Sequence, residues 1–373
     1  MPWQECSIMT SRQEFLSLAA RPGCNFSRLC RRFGISRKTG YKWLQRTQQS
    51  DGFDVGDRSR RPRHSPARTD AQLEQQVVVM RDQTRWGARK ISWCLERDQE
   101  LVLAKSTVHS ILQRHGRIAT PTELSTNYQR FEQEEPNQLW QMDFKGHFAL
   151  GNGQRCHPLT VLDDHSRYCL CLQACQNQQT ETVQAHLTAI FRVYGLPLRM
   201  LMDNGSPWGH DREHKYTPLT VWLLRLGIGV THSRPYHPQT QGKDERFHRS
   251  LKVEVLAGRV FADWARIQSR FHQWRHCYNC VRPHEALAMS VPASRYQVSP
   301  RAFPEQLLAL EYGSIDKVRK VQDHGIIFFR NREFRVSKAF RGYQVAVRPT
   351  IEDGVFEIYF ATHLIGTIDL RNP

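Results

Sequence analysis

Long hydrophobic runs are missing from this sequence of 373 residues. A helix that crosses a bilayer needs about 20 consecutive apolar residues, and no run approaches that length here. The first ten residues, MPWQECSIMT, also lack the positively charged and then apolar pattern of a secretory signal. The sequence therefore predicts no membrane partner, and it argues against the membrane and secreted classes of protein.

Acidic residues are scarce relative to basic ones. Asp and Glu number 36 against 53 Lys and Arg, which gives a formal net charge of +17 and a pI near 9.7. Such an excess is typical of proteins that bind an acidic polymer, most often nucleic acid. The excess is uneven, because residues 1–68 hold 14 basic and 5 acidic side chains, whereas residues 69–136 hold 9 and 10. The first segment is therefore the stronger candidate for a nucleic-acid surface.

Paired cysteine motifs are also rare. The ten cysteines are scattered, as in a cytosolic protein with reduced thiols. The single C-x-x-C, Cys277 to Cys280, has no second pair after it. Buried thiols are thus favoured over a zinc site at these positions.

Residues 26–46 match the pattern of a helix-turn-helix. Apolar residues at helical spacing mark the first helix: Phe26, Leu29, Cys30 and Phe33. Gly34 then breaks the helix, and Ser36 is a good N-cap for a second one. We expect Tyr41 and Leu44 to face inward in that second helix.

The second helix of this pattern is basic. It carries Arg37, Lys38 and Lys42, which suits a helix that enters the major groove of DNA. One residue counts against the motif, since Gly40 lies inside this helix and glycine costs roughly 1 kcal/mol there. The alternative is a small helical bundle with a basic face and no role in DNA recognition.

A basic linker follows the first helical unit. Residues 57–70, DRSRRPRHSPARTD, are rich in Pro, Ser and Arg, which favours an extended tether. Arginines in such arms often lie in a minor groove of DNA, and a solvated tether is the alternative. The candidate arginines are Arg58, Arg60, Arg61 and Arg63.

Residues 70–117 predict a second three-helix unit. The inward residues of its last helix would be Val108, Ile111 and Leu112. Ser106 would cap the start of that helix and Gly116 its end. A polar connector, residues 119–136, leads to the next segment.

From residue 137 onward, short strands alternate with helices. The predicted order β-β-β-α-β-α-β-α is that of a mixed α/β domain. Residues 317–370 then alternate apolar and polar residues around turns, which suggests a small β-barrel. We therefore predict a multidomain chain of seven segments: a first helix-turn-helix domain (1–57), a basic linker (58–68), a second helix-turn-helix domain (69–118), a connector (119–136), an α/β core (137–300), a linker (301–316) and a C-terminal β-barrel (317–373).

Three carboxylates stand where α/β folds place functional groups. Asp143 follows an aromatic-rich strand, Asp203 ends the strand LRMLM at the turn DNG, and Glu245 opens a helix. Phosphodiester chemistry uses two divalent ions about 3.5–4 Å apart, and Mg²⁺ prefers oxygen ligands. Three carboxylates from two strands and one helix can supply such ligands. We therefore predict a site for two Mg²⁺ ions, with Mn²⁺ as a substitute.

Two further acids, Asp163 and Asp164, compete with this set. They fall at the turn of a predicted hairpin. We interpret them as structural residues, with Arg167 as their partner.

The neighbours of Glu245 are basic. Lys243, Arg249 and Lys252 lie on the same predicted helix. Glu245 and Lys252 are separated by two helical turns, so they face one side. Such cations can hold the backbone of DNA beside the carboxylates.

Five stretches of the core carry a resemblance to a known family: QLWQMDF, DDHSRY, LMDNGSPW, HPQTQGKDERFHRSLKVEV, and YNCVRPHEAL followed by PASRY. They resemble the integrase core of retroviral-type DDE transposases, and in particular the bacterial insertion-sequence transposases made as one polypeptide with helix-turn-helix units ahead of the core. The resemblance implies an RNase H-like fold for the core. It also implies that Asp143, Asp203 and Glu245 are the catalytic triad and the metal ligands, with Lys252 as the basic residue two turns later.

The resemblance further implies an enzyme that binds the terminal inverted repeats of its own element, cleaves the ends and joins the freed 3′-OH to target DNA. It implies double-stranded DNA as partner and a place in the bacterial cytoplasm at the nucleoid. Since joining two ends needs two active sites and one chain carries one triad, we also predict at least a dimer on that DNA. One departure is the spacing, since 41 residues separate Asp203 from Glu245, more than in many relatives. The extra length lies in the polar stretch PWGHDREHKYTP.

Two alternatives share the same DNA-binding features. One is a catalytically inactive DNA-binding regulator derived from a transposase, and a decayed copy of that kind would usually have lost one of the three acids. The other is a plain nuclease of the same fold, which would not need two units for reading DNA ends. All three acids and both helical patterns are present in the sequence, which favours the transposase.

Overall fold

The computed structural model describes residues 8–48, 57, 68–118, 132–209, 216–233 and 242–371. The chain divides into two compact units, Met1–Thr69 and Asp70–Pro373, which are described separately. The linker arginines Arg58, Arg60, Arg61 and Arg63 lie outside the described residues, as do residues 119–131 of the connector. Within the described ranges, no helix is both long and apolar enough to cross a membrane.

The first unit is a three-helix fold. Its helices are α1 (Ile8–Ala19), α2 (Phe26–Arg32) and α3 (Arg37–Gln48). The turn between α2 and α3 follows the sequence signals, because Gly34 has a φ of +66° and the Ser36 hydroxyl accepts a 3.1 Å hydrogen bond from the Thr39 amide. The predicted helix-turn-helix pattern is thus confirmed as a local structure.

Gly40 lies where α3 approaches the rest of the first unit. A Cβ atom at this position would stand 2.8 Å from Cys30 Sγ and 3.0 Å from the ring of Phe26. Close packing therefore requires glycine, which offsets the propensity cost that counted against the motif. The inward position predicted for Tyr41 is wrong, since this side chain is 57% exposed and stacks on the Phe26 ring at 4.4 Å. Trp43 is the buried aromatic residue of α3 instead.

The second unit begins with three more helices. They are α4 (Ala71–Thr84), α5 (Ala88–Gln99) and α6 (Lys105–Arg114). The inward residues predicted for α6 are buried, namely Val108, Ile111 and Leu112. Gly116 has a φ of +65° and ends the helical segment as predicted. The N-cap assignment is wrong, because α6 starts one residue after Ala104 and Ser106 already lies inside the helix.

A mixed sheet with helices on both faces forms the centre of this unit. Its elements are β1 (Leu139–Phe144), β2 (Phe148–Ala149), β3 (Arg155–Asp163), β4 (Cys169–Cys175), α7 (Thr180–Tyr194), β5 (Arg199–Met202), α8 (Pro218–Arg225), β6 (Gly229–His232), α9 (Gly242–Leu251), a π-helical turn (Lys252–Leu256) and α10 (Trp264–Cys280). Strands β2 and β4 both pair with β3, and β1, β5 and β6 follow in that order. The β1–β3 pair is antiparallel, whereas β1–β5 and β5–β6 are parallel. The predicted mixed α/β architecture is confirmed.

The sheet separates two hydrophobic cores. Successive residues of a strand point to opposite faces, and β3 accordingly sends Val161 into one core and Leu162 into the other. The first core is covered by α7 and α8, and the second by α9 and α10. Phe247 of α9 packs in the second core, with its ring 5.3 Å from that of Trp274. This packing fixes α9 against the sheet.

The helices α4–α6 pack against the end of α10. Cys277 contributes to their core. Arg89 of α5 lies 3.4 Å from the Glu285 carboxylate, and Arg97 donates a 3.3 Å hydrogen bond to the Val281 carbonyl. The second helical group is thus joined to the same surface that holds α9.

The C-terminal segment forms two antiparallel sheets. Its strands are β7 (Lys317–Lys320), β8 (Ile326–Phe329), β9 (Arg332–Arg335), β10 (Gln344–Pro349), β11 (Val355–Phe360) and β12 (His363–Asp369). An open sheet has the order β12-β11-β10-β7, and β8 pairs only with β9 among the described strands. A closed barrel is therefore not confirmed. The segment packs on α8, whose Val221 and Leu224 share its core.

Candidate active site

Two carboxylates meet at one edge of the central sheet. The parallel register of β1 and β5 pairs Trp140 with Met200 and Gln141 with Leu201. Continuing that register by two residues places Asp143 level with Asp203, which directly follows β5. Neighbouring strands lie about 4.8 Å apart, so these two side chains start from adjacent positions.

Asp143 is affected by the negative charges of two other carboxylates. Burial raises the pKa of its carboxyl to about 7, and the nearby carboxylates of Asp203 and Glu245 add to the effect. The three predicted acids therefore lie in one electrostatic neighbourhood. A divalent cation would relieve this repulsion, since it favours the ionised form of each carboxylate.

Asp203 is oriented by its own turn. Its Oδ1 accepts a 2.9 Å hydrogen bond from the amide of Gly205, and its carbonyl oxygen lies 2.8 Å from Nδ1 of His232 at the end of β6. The first of these contacts fixes the direction of the carboxylate, and the second holds the backbone of the turn. Oxygen donors with fixed directions are the type of ligand that Mg²⁺ accepts.

The first turn of α9 presents its two acids differently. Glu245 is exposed, whereas Asp244 is fully buried and neither of its carboxylate oxygens receives a hydrogen bond from the described residues. Burial raises the pKa of Asp244 well above its usual range, and the charges of Asp143 and then Asp164 add to this effect. Glu245 is thus the acid that can reach a ligand in solution.

The carboxylates are near one another without forming a complete cluster. Among the described ranges, no three His, Cys, Asp or Glu side chains are close enough to hold a metal ion. The donor set itself fits a hard divalent cation, because it consists of oxygen ligands whose charges repel. The roles of Asp143, Asp203 and Glu245 as metal ligands stay a prediction.

His248 is a site residue that the sequence interpretation missed. It lies one helical turn after Glu245, with Nδ1 3.8 Å from Oδ2 of Asp143 and Nε2 2.9 Å from the Thr160 hydroxyl. Thr160 in turn donates a 2.9 Å hydrogen bond to the Asp143 carbonyl. Burial lowers the pKa of His248 to about 3, and Lys145 contributes, so the ring is neutral at physiological pH. His248 therefore connects α9 to the strand that carries Asp143.

Basic side chains border the carboxylates. Lys252 and Arg249 are exposed on the helix that carries Glu245. Lys145, two residues after Asp143, has a lowered pKa because of burial and then the charge of Lys252. The two ammonium groups therefore influence each other beside the acids, and Lys145 is a second residue that the sequence interpretation missed.

Lys243 occupies a different environment from the one predicted. Its ammonium group forms an ion pair with the buried carboxylate of Asp164, and it also donates a 3.2 Å hydrogen bond to the Asp164 carbonyl. Burial lowers the pKa of Lys243 to about 8, with Arg167 adding to the effect. This internal pairing counts against a contact between Lys243 and DNA.

The competing acids are structural, as predicted. Asp163 accepts hydrogen bonds from the amides of Asn137 (2.7 Å) and Ser166 (2.8 Å) and is fully buried. The partner predicted for them is wrong, because Arg167 pairs with Glu132 at 2.8 Å instead. Asp163 thus fixes the hairpin between β3 and β4, and it pairs with Trp140, three residues before Asp143 in β1.

The basic residues predicted for DNA reading lie on an open face of the first unit. Arg37, Lys38 and Lys42 of α3 are all exposed, whereas Gly40 and Trp43 of the same helix are buried. The helix therefore separates a packed face from a basic one.

Family comparisons cover most of the chain. The family described as "Integrase core domain" matches residues 133–238 and, through a second model, residues 226–292. The family "IS481 family transposase, C-terminal domain" matches residues 316–373. The N-terminal part matches "Helix-turn-helix domain" at residues 11–63 and "Homeodomain-like domain" at residues 39–112.

Individual relatives include proteins of mobile elements. The "Insertion element IS407 uncharacterized 31.7 kDa protein" of Burkholderia multivorans is 25% identical over 241 residues, which are 61% of this chain and 84% of that protein. The "Insertion element IS476 uncharacterized 39.2 kDa protein" of Xanthomonas euvesicatoria is 28% identical over 158 residues, 42% of this chain and 44% of that protein. The Gag-Pro-Pol polyprotein of Simian retrovirus SRV-1 is 32% identical over 121 residues, 32% of this chain and only 6% of the polyprotein.

Among solved structures, the catalytic core domain of HTLV-2 integrase in complex with magnesium is 14% identical, covers 44% of this chain and 99% of its own, and has a TM-score of 0.32. The sequence matches, in contrast, extend over most of the chain. These matches join helix-turn-helix domains, an integrase core domain and a transposase C-terminal domain in one chain. The chain therefore has the domain composition of an insertion-sequence transposase with an integrase core domain.

Proposed function

We propose that this transposase binds the terminal inverted repeats of its own insertion sequence, cleaves the ends, and joins the freed 3′-OH to target DNA by metal-dependent phosphodiester transfer. The observation that carries the proposal is the position of Asp143 level with Asp203 at the ends of adjacent parallel strands. The charge of Glu245 also raises the pKa of Asp143, as that of Asp203 does. Three carboxylates at one sheet edge, bordered by lysines, suit a reaction on a polyanion.

In this proposal Asp143, Asp203 and Glu245 hold two Mg²⁺ ions, or Mn²⁺ in their place. Bound metal would supply activation of the attacking oxygen and stabilisation of the leaving oxygen. The protein side chains contribute position and charge. His248 links α9 to the Asp143 strand through Thr160, whose hydroxyl lies 2.9 Å from Nε2 and donates to the Asp143 carbonyl. Lys252 and Lys145 bind DNA phosphates, and water and then the 3′-OH act as nucleophiles, so no protein nucleophile is required.

A cleavage assay with different cations tests this function. The substrate is a duplex made from the DNA that flanks the gene, where the terminal inverted repeat is expected. Mg²⁺ and Mn²⁺ are expected to support end cleavage and joining, whereas Ca²⁺ should allow binding with little chemistry. A chain that binds this duplex but never cuts it with Mg²⁺ or Mn²⁺ would be the inactive DNA-binding regulator. A chain that cuts all duplexes and joins none would be a plain nuclease.

The proposed DNA contacts fall into two groups. The exposed residues of α3, Arg37, Lys38 and Lys42, would read the repeat. Arg249 and Lys252 would hold the DNA near the cut, and the arginines of the linker, Arg58, Arg60, Arg61 and Arg63, would lie along a minor groove. Lys243 is the weakest of the predicted contacts because it is paired with Asp164. Binding to its own element in a bacterium would place the protein at the nucleoid.

We further propose that the active complex holds at least two chains. Joining two element ends to one target needs two active sites, and one chain carries one set of three carboxylates. Light scattering of complexes on paired ends is expected to give a mass of two or more chains per complex, with little stable dimer in the absence of DNA. A complex with a single chain that still joins paired ends would overturn this assembly.

A further inference from the structure

Arg282 is a buried arginine in the stretch YNCVRPHEAL, to which no role has been given so far. It is 6% exposed. Its Nε and Nη2 atoms lie 3.0 Å and 2.9 Å from Oε1 of Glu254, and Nη2 also donates a 3.2 Å hydrogen bond to the Ser250 hydroxyl. One guanidinium thus holds two successive turns of the helical segment Gly242–Leu256, which carries Glu245 in its first turn.

Glu254 lies in an unusual part of that segment. It belongs to the π-helical turn, in which the Ala257 amide donates a 2.7 Å hydrogen bond to the carbonyl of Lys252. Glu254 is 9% exposed, and its second oxygen accepts a 2.8 Å hydrogen bond from the indole of Trp274. Turns of this type are rare and often found at functional sites. The contacts of Glu254 therefore determine how the chain runs just after α9.

The Arg282–Glu254 pair is better suited to fixing geometry than to adding stability. Removing two charges from water is costly, and well-packed apolar residues in place of a buried ion pair are often as stable. A two-pronged contact between guanidinium and carboxylate, in contrast, fixes the relative orientation of both groups. Lys252 lies between the two held positions, Ser250 and Glu254, and is exposed on the other side. The pair thus holds the helical turn from which Lys252 extends.

Arg282 is itself fixed to the central sheet. Its backbone amide donates a 2.8 Å hydrogen bond to the Cys277 carbonyl at the end of α10. In the same stretch, the side chain of Asn279 pairs with both backbone groups of Cys169 in β4, at 2.8 Å and 3.0 Å. The turn that carries Lys252 is therefore connected, through Arg282 and α10, to the sheet that carries Asp143.

We propose that Arg282 is a positioning residue, which holds Ser250 and Glu254 so that Lys252 is presented to a DNA phosphate beside the carboxylates. This inference rests on the proposed function for the identity of DNA as the partner. It also gives a role to the π-helical turn after α9: Arg282 holds the buried side of that turn, and its exposed side binds the DNA backbone.

The test is a double-mutant cycle read from the salt dependence of DNA binding. Each neutralised phosphate contributes about 0.9 to the slope of log affinity against log salt concentration. Lys252→Ala in the full chain, on the duplex with the flanking repeat, should lower the slope by about 0.9. Arg282→Met combined with Glu254→Gln should lower it by a similar amount, although Lys252 is still present. Adding Lys252→Ala to that pair should change the slope no further.

Two more variants separate positioning from general loss of structure. Arg301→Met is the matched control, because Arg301 also binds backbone carbonyls inside the protein, those of Leu226 and Gly227, far along the chain from α9. A variant that merely unfolds a fraction of the protein lowers the bound amount at every salt concentration without changing the slope. Arg282→Lys keeps a positive charge beside Glu254 but cannot form the two-pronged contact. It is expected to lower the slope in the same direction as the double variant.

Several outcomes would overturn the inference. They are an unchanged slope for Lys252→Ala, an unchanged slope for both Arg282 variants, and slope changes that add in the triple variant. Cleavage is not the measured quantity. A wild-type chain that binds the repeat with the expected slopes but never cuts it would therefore contradict the proposed function and leave the positioning role intact.

Discussion

Asp143→Asn is expected to abolish both end cleavage and joining while leaving DNA binding intact. Loss of a residue that only supports a metal ligand typically costs 10–100-fold in affinity or activity. Loss of a ligand itself should therefore cost more than about 100-fold. Binding should be spared because the exposed basic residues of α3 belong to the other compact unit of the chain. Asp203→Asn and Glu245→Gln are expected to give the same result.

The same substitution should not destabilise the protein. Burial and neighbouring carboxylates raise the pKa of Asp143 to about 7, so its ionised form is less favourable in the folded chain than in the unfolded one. A raised carboxyl pKa removes stability as pH rises from the unfolded value towards the folded one. In metal-free buffer, Asp143→Asn should therefore melt at a higher temperature than the wild type above pH 7. This difference should shrink as the pH falls towards 4.

Measuring both activity and melting temperature distinguishes the loss of a catalytic ligand from the loss of folded protein. Asp98→Asn is a suitable control, since Asp98 is a partly exposed acid paired with Arg97 on α5, and its replacement should leave cleavage unchanged. Substantial strand transfer by Asp143→Asn with Mg²⁺ would show that Asp143 is not a catalytic ligand. A lower melting temperature at pH 8 would show that the carboxylate is stabilised by contacts rather than opposed by its neighbours.

The sequence was sufficient to place the two aspartates. Strand periodicity marks β1 and β5, and the carboxyl ends of neighbouring parallel strands share one edge of a sheet. It was also sufficient for the helix-turn-helix, because Gly34 and Ser36 carry their own local signals. These features depend on short-range physics. The predicted closed barrel at the C-terminus was not confirmed. Alternation of apolar and polar residues predicts strands, but it does not determine whether a sheet closes.

Side-chain partners could not be obtained in this way. Lys243 and Arg167 were assigned to DNA and to a hairpin acid, yet their partners are Asp164 and Glu132. Both pairs join residues that are distant in sequence, and charge alone does not choose among several acids. The structural role of Gly40 could not be predicted for the same reason, because the atoms that leave no room for a side chain there belong to other helices. His248 escaped notice since only the packing of α9 on β1 and β3 brings it to Asp143 and Thr160.

Replacing Arg37, Lys38 and Lys42 together with Ala is expected to weaken binding to the terminal repeat strongly and to flatten its salt dependence. If each side chain neutralises one phosphate, the slope of log affinity against log salt concentration should fall by roughly 2.7. The loss of affinity between 50 mM and 200 mM salt would then be smaller by a factor of about 40. The fold should survive, because all three side chains are exposed and the packed face of α3 is formed by Gly40 and Trp43.

A control of equal charge separates a specific surface from the general excess of positive charge. Arg97, Arg117 and Arg192 are each paired with an acid, at Asp98, Asp82 and Glu305. Replacing these three with Ala removes the same formal charge and should change the slope little, since each frees a carboxylate rather than a phosphate. Measuring binding to a scrambled duplex as well as to the repeat then separates sequence recognition from nonspecific electrostatic binding. If α3 enters the major groove, its variant should lose more affinity for the repeat than for the scrambled duplex. Equal losses on both duplexes would assign α3 to backbone binding, and a slope change matched by the control triple would remove it from the DNA interface.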